Sequence, residues 1–351
     1  RTWLIAVLAC AAVVLLAACV RVNTQGDAPR TADADATGTL RIATYNTSLN
    51  SDDTGGLIER LRGDDAGARK VAAVLQQVRP DIVLLNEFDY VADGSAADLL
   101  QQRWLERALG DLDALRLVLP DHPEDAFYAA GAPWFFTLFG RDSLWAARLA
   151  LPLDVSLAAS TLRVLARLQG SADDPDTAQQ PGKILHELRA TALEIPAEGV
   201  VLPPLYFGSV DSTALWVCLL VDAWRAGMPE LEVRALLPTL DRALTWLLEH
   251  GDADGDGFLD YVDLTGRGLA NQGWKDSGDS IQWRDGTLAE GPIALCEVQA
   301  YAYEAARGAA DMLEALGADG HHRPEPLRSW AAQLRERFAA ALTHDMRGPL
   351  T

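Results

Sequence analysis

From about residue 98 to the end of the chain, strand-like patterning disappears and one helical stretch follows another. Apolar residues recur at three- and four-residue spacing over 98–116, 142–151, 154–168, 211–226, 229–250, 292–316 and 327–342. The predicted fold is therefore mainly α. In 211–226, Leu215, Leu219 and Ala223 form one stripe while Trp216, Leu220 and Trp224 run beside it. A stripe that wide predicts a helix covered on two sides. Pro238 is expected to kink the next helix or to start a new one. The long loops between helices carry Gly, Pro, Asp and Trp, and loops held on a rigid scaffold are where binding groups concentrate.

The preceding stretch has another character. Residues 40–45 and 81–85 read as strands and 67–78 as an amphipathic helix, a β-α-β pattern ending at Asn86-Glu87. No Pro- or Ser-rich linker separates this 40–92 piece from the helical piece at 98–351. Residues 2–20 are nearly all apolar, follow Arg1 and end Leu16-Ala17-Ala18-Cys19, the pattern of a lipoprotein signal. The expectation is an apolar signal helix over 1–19, a lipid anchor on Cys19, a polar tether over 20–39 and an extracytoplasmic location. Without a genuine signal, the helical part would be cytoplasmic.

With 49% hydrophobic and 23% charged residues the composition is that of a globular protein. A net charge of −20 disfavours a non-specific grip on nucleic acid, which needs Lys and Arg to displace counterions. It suits a neutral partner. Cys218 and Cys296 sit in helical patterns and read as small buried hydrophobes. No Cys-x-x-Cys spacing points to zinc or to a disulfide framework.

Two stretches carry the chemistry: AAGAPWFFTLFGRDSLW at 129–145 and NQGWKDSGDSIQW at 271–283. Each sets aromatic rings beside a carboxylate and a cation. A ring face can hold the flat side of a pyranose while acids and bases work on its oxygens. Asp276, after Trp274 and Lys275, is the carboxyl that this stretch sets beside an indole, with Asp279 second. A carboxyl beside an indole can be partly desolvated and keep its proton, whereas an inward Lys275 would oppose that. In Arg141-Asp142 the Arg can hold the Asp in place through a bidentate pair, and Asp142 can equally cap a helix. His186, Glu187 and Arg189 make a compact polar cluster in a short loop or helix. Glu297 and Gln299 lie in an otherwise apolar helix, where polar groups need partners.

These stretches, with PGKILHELRA at 181–190, YFGSVDSTALWV at 206–217, GDADGDGFLDY at 251–261 and EGPIALCEVQAYAYEA at 290–305, resemble in order the amylo-alpha-1,6-glucosidase (glycogen debranching) family. The resemblance covers about residues 120–320. It implies an (α/α)6 toroid, here incomplete, and hydrolysis of α-glucosidic bonds in a glucan or oligosaccharide, without a cofactor. Asp276 would be the general acid. Trp134, Arg141, Asp142, His186, Glu187, Tyr206, Asp211, Trp274, Lys275 and Glu297 would line the sugar site, with Phe135 beside Trp134. Enzymes on this toroid usually invert the anomeric centre, which needs a second carboxylate about 6.5–9.5 Å from the acid. In the family that base comes late, and no convincing base precedes Thr351.

LRIATYNTSLN and RPDIVLLNEFD, within 40–90, resemble the start of the endonuclease/exonuclease/phosphatase family. The resemblance implies Asn46 and Glu87 as ligands of a divalent metal. The family's later His, Asp-x-Asn and terminal Ser-Asp-His have no counterpart here. The chain thus reads either as the front of one protein joined to the middle of another or as an exported two-domain protein. Asp252-x-Asp254-x-Asp256-Gly257, followed by Asp260 and Asp263, has the spacing of a calcium loop, with Asp where a Glu normally closes it. A plain loop of Asx-turns has the same spacing.

Overall fold

The computed structural model describes residues 42–346, apart from 52, 54, 79–81, 90–94, 102–106, 197–198 and 319. The expected signal, Cys19 and tether lie outside the described residues. No helix among the described residues is long and apolar enough to cross a membrane. The chain divides into two compact units, Arg1–Ala114 and Leu115–Thr351. Among the described residues about half are helical, in 10 helices, with a few small sheets.

In the first unit, β1 (Ile42–Asn46) and β2 (Ile82–Asn86) pair in parallel, Ile42 opposite Ile82 and Asn46 opposite Asn86. Helices α1 (Gly56–Arg62) and α2 (Ala66–Val78) connect them. Leu57 and Leu61, one turn apart on α1, are buried with Leu49, Ala68, Val71 and Ala72. The strand-helix-strand order expected here is present, and α1 is an addition to it. Two short helices follow, α3 (Ser95–Leu99) and α4 (Arg107–Asp113).

The helix expected over 98–116 does not reach its expected end, because Arg116 already opens a strand. β3 (Arg116–Leu119) and β4 (His122–Tyr128) form an antiparallel hairpin that turns at Pro120-Asp121. Leu117 and Leu119 alternate with more exposed neighbours, a period of two that suits a half-covered strand. The buried Asp125 of β4 is held by Arg163 at 2.6 Å and by Arg167. The carbonyl oxygens of Ala126 and Tyr128 accept from Ser160 Oγ and Ser143 Oγ.

Helices α5 (Gly140–Ala150), α6 (Val155–Arg167), α7 (Ser212–Arg225), α8 (Glu230–Glu249), α9 (Cys296–Leu316) and α10 (Pro324–Met346) form the body of the second unit. α5 and α9 pack on α7, while α6 and α8 pack on α7 and on each other. α7 is apolar nearly all round, and residues 212–221 are all buried. The indole of Trp216 donates to Leu162 O at 3.1 Å, so the bulkiest ring of this core leaves no unpaired N–H. The two-sided covering expected from its stripe is therefore observed.

α5, α7 and α9 run the same way. Arg141 and Arg148 of α5 meet Asp211 and Asp222 at successive levels of α7. Cys218 and Val221 lie beside Tyr301 and Gly308 of α9. The links 151–154, 226–229 and 317–323 are short, whereas 168–211 and 250–295 are long. The long connections therefore gather at the starts of α5, α7 and α9.

Pro238 lies inside α8, which continues through it as one helix, so no new helix starts there. Leu236, Leu240, Ala243 and Leu244 are buried on either side, and that packing outweighs the lost backbone hydrogen bond. Cys218 is buried as expected, but Cys296 is exposed, because α9 begins there against a surface loop.

Candidate active site

The chain enters α5 from the two-residue strand β5 (Leu138–Phe139), which pairs antiparallel with β6 (Glu187–Leu188); β6 pairs in turn with β9 (Leu205–Tyr206). Between them β7 (Leu193–Ile195) and β8 (Val200–Leu202) form a separate hairpin. Gly140 N–H donates to His186 O at 2.8 Å. A Cβ at 140 would overlap the Leu185 carbonyl oxygen, so only glycine lets the helix start lie this close to the strand. The side chain of residue 141 is thereby aimed across the start of α7.

Three distant stretches meet on the Arg141 guanidinium. Nη1 binds Asp211 Oδ2 at 3.2 Å, Nη2 binds Asp276 Oδ2 at 3.4 Å, and Nε stands 4.0 Å from Asp142 Oδ2. Asp211 is 1% exposed and stands just before α7 without capping it; Ser209 Oγ donates to its other oxygen at 2.6 Å. Burial weakens the hold of Arg141 on its proton, but Asp211, Asp142 and Asp276 together keep it above its ordinary pKa. The Asp142 carboxyl is pushed up by burial against the pull of Arg141. Its own backbone N–H also draws its pKa down, against the burial.

Glu187 stands beside this group on β6. Its Oε2 accepts from Arg189 Nε at 2.6 Å, whereas Oε1 is shut from solvent with no hydrogen-bond partner. Burial raises its pKa, Arg189 opposes the rise, and the charge of Asp276 adds to it. His186 is packed edge-on between Phe139 and Tyr206, with ring centres 5.4 and 5.9 Å away. Burial, then Arg141, Arg189 and Lys183, push its pKa down to about 3, so the ring is neutral at pH 7. The Tyr206 hydroxyl accepts from Leu269 N–H at 3.0 Å, and burial moves its pKa to about 12. His186 and Tyr206 therefore back the carboxylates from inside the fold. Of the cluster expected in a short loop or helix, Glu187 lies on the two-residue strand β6, and His186 and Arg189 flank it in loop.

The loop carrying Asp276 is tied at several points. Val210 N–H donates to Gln272 O at 2.9 Å, and Tyr261 Oη donates to Asn271 Oδ1 at 2.9 Å. Asn271 Nδ2 donates to Ser277 O at 2.7 Å, and Ser280 Oγ to Lys275 O at 2.7 Å. A cavity of about 860 Å³ opens beside the loop, lined among others by Asp276, Asp279, Asp263, Tyr261 and Glu290. Arg141 and Asp142 touch Asp276 or its partner without lining that cavity.

The aromatic walls differ from expectation. Trp134 is 79% exposed on the loop before α5, and Phe135 packs edge-on against Phe139 at 5.9 Å. Trp274 faces solvent with Lys275 Nζ 5.3 Å above its ring. The Asp276 carboxyl is 43% exposed and touches Arg141, so the indole-shielded setting expected for it is corrected: Trp274 spends its face on Lys275. Glu297 is half-buried in the first turn of α9, and its charge reaches Tyr301 and Tyr261. Gln299 finds the partners it needs, accepting from Leu259 N–H at 2.9 Å and donating to Leu259 O at 2.7 Å, so it clasps a loop.

Ser209 and Asn271 were passed over in the sequence, although both lie in its motifs. The signal for each is a small polar residue within a few positions of a candidate carboxylate. In the first unit the strand register brings Asn46 and Glu87 together, with Asn46 Nδ2 2.8 Å from Glu87 Oε1. The amide oxygen accepts from Ser48 N–H at 3.0 Å. One carboxylate then remains as a ready donor, too few for a cation cage without further ligands.

No protein-family model matches this chain, and no curated protein matches it.

Proposed function

We propose that the helical unit is a glycoside hydrolase module of the amylo-alpha-1,6-glucosidase type, acting on α-glucosidic bonds. The observation that carries this reading is the convergence on Arg141 of Asp142, Asp211 and Asp276, from three separate motifs, with Glu187 beside them. Three consecutive helix pairs, with α5, α7 and α9 parallel and starting at the site, fit an arc of an (α/α)6 toroid. Asp276 protonates the glycosidic oxygen, Arg141 positions Asp276 and Asp211, and Asp142 and Glu187 accept sugar hydroxyls. Exposed Trp134 offers a ring face to a further glucose unit.

The test is glucose release from a branched limit dextrin by the full chain and by Asp276→Asn. Release by the wild type that the variant loses supports the reading. Glucan binding without release identifies a non-catalytic glucan-binding protein that keeps the pocket. A second reading, a metal-dependent phosphoesterase fragment, draws on the contact between Asn46 and Glu87. Magnesium-dependent phosphate ester cleavage abolished by Glu87→Gln would favour it.

A further inference from the structure

The loop between α8 and α9 holds a group that the sugar site does not use. Carboxylate oxygens of Asp252, Asp254 and Asp260 lie within 4.8 Å of one another. Internal hydrogen bonds occupy part of this group. Asp252 accepts from Gly255 N–H at 2.7 Å and Gly257 N–H at 2.9 Å, Asp254 from Asp256 N–H at 3.1 Å, and Asp256 from Phe258 N–H at 2.8 Å. A plain Asx-turn loop explains all of those bonds. It does not explain Asp260, which is 7% exposed. One Asp260 oxygen accepts from Ala253 N–H at 3.0 Å, and the other, Oδ2, is sealed from solvent with no partner. A buried carboxylate oxygen left bare beside two other carboxylates is costly unless a cation meets it. Arg337 approaches the loop at Gly257, yet its Nε makes no hydrogen bond.

We propose that Asp252, Asp254 and Asp260 bind a divalent cation, and that the cation is calcium. Oxygens bound to one calcium at about 2.4 Å lie no more than about 4.8 Å apart, as these do. An all-oxygen donor set is hard, and an irregular set of loop carboxylates suits calcium better than the strict octahedron of magnesium. A cavity of about 500 Å³ is lined in part by Ala253 and Asp260. The next residues explain what the ion would fix. Leu259 is clasped by Gln299 of α9, and Tyr261 reaches Asn271, which holds Ser277 next to Asp276. This site stands whether or not the sugar reading does.

The full chain, stripped with EDTA and dialysed, is titrated with calcium chloride by calorimetry and melted with and without the ion. One site per chain is expected. At calcium a hundred times its dissociation constant, the folded-to-unfolded ratio should rise about a hundred-fold. Asp254→Asn and Asp260→Asn should lose both signals while keeping the helical circular dichroism of the wild type, and Asp285→Asn should keep both. No heat and no melting shift at millimolar calcium would overturn the proposal, as would Asp254→Asn and Asp260→Asn binding like the wild type. An equal shift with magnesium would overturn the choice of calcium.

Discussion

Replacing Arg141 with methionine keeps most of the side chain's length and removes its charge. The cost follows from what is left behind. Asp211 is 1% exposed and would keep a buried charge with only Ser209 to serve it. Breaking a buried pair by removing one partner costs about 3–5 kcal/mol, because the survivor stays desolvated. Asp276 is 43% exposed, and losing a partner at such a site costs about 0–1 kcal/mol. The Asp142 contact, at 4.0 Å, adds little. Arg141→Met should therefore destabilise the helical unit by about 3 kcal/mol, nearly all of it through Asp211. For a unit of this size that lowers the melting temperature by about 6–12 °C. Urea unfolding followed by Trp fluorescence reads the change directly, since Trp216 and Trp246 are buried. The double variant Arg141→Met/Asp211→Asn should regain about 2 kcal/mol, because no buried charge remains. If Arg141→Met stays within about 1 kcal/mol of the wild type, or the double variant is no more stable than the single one, Arg141 is not the hub described here.

Asp276→Asn should leave stability within about 1 kcal/mol of the wild type and lower glucose release by about 10²–10⁴-fold; equal losses in both would make Asp276 a structural residue. Glu187→Gln should weaken limit-dextrin binding about tenfold, the equivalent of about 1.4 kcal/mol, as measured by calorimetry. Unchanged affinity would place its bare oxygen outside the sugar site. His186 has a folded pKa of about 3 against an ordinary 6.5, so the unfolded chain binds the extra proton between those values. Its contribution is present above pH 6.5 and falls as pH drops toward 3, by up to about 1.4 kcal/mol per pH unit. Melting curves from pH 4 to 7 should be flatter for His186→Asn, and parallel curves would refute the buried neutral ring. Gly140→Ala should cost about 3 kcal/mol in urea unfolding, since its methyl group would meet the Leu185 carbonyl.

The helices from α5 onward were legible because burying one face imposes its own period. Asp154 and Asp211, read as the starts of helices, occupy those positions in the structure. The β3–β4 hairpin was hidden because its strands are short and follow a helix-like stretch without a break. Pro238 starts no new helix, because the packing around Leu236 and Leu240 overrides local backbone preference. In the site, residue types and motifs identified the charged groups, and the structure brings Arg141, Asp142, Asp211 and Asp276 together. Sequence could not say which way each side chain faces. Tyr206 and His186 turn inward because two-residue strands pin them from both sides, and Trp274 turns outward with Lys275. Direction of this kind is set by tertiary pairing and leaves no periodic trace in so short a motif.

The unequal connections between helices bear on how such a molecule can change. Closing a flexible segment costs only about 0.6 kcal/mol more each time its length doubles. Residues 168–211 and 250–295 can therefore accept insertions at small cost, provided the anchoring contacts at Val210, Asn271 and Gln299 persist. The tight turns at the opposite pole have no such latitude, because each fixes the spacing of a helix pair. New ligand preferences should accordingly arise by lengthening or rewriting one end of the bundle, while the other stays constant in length.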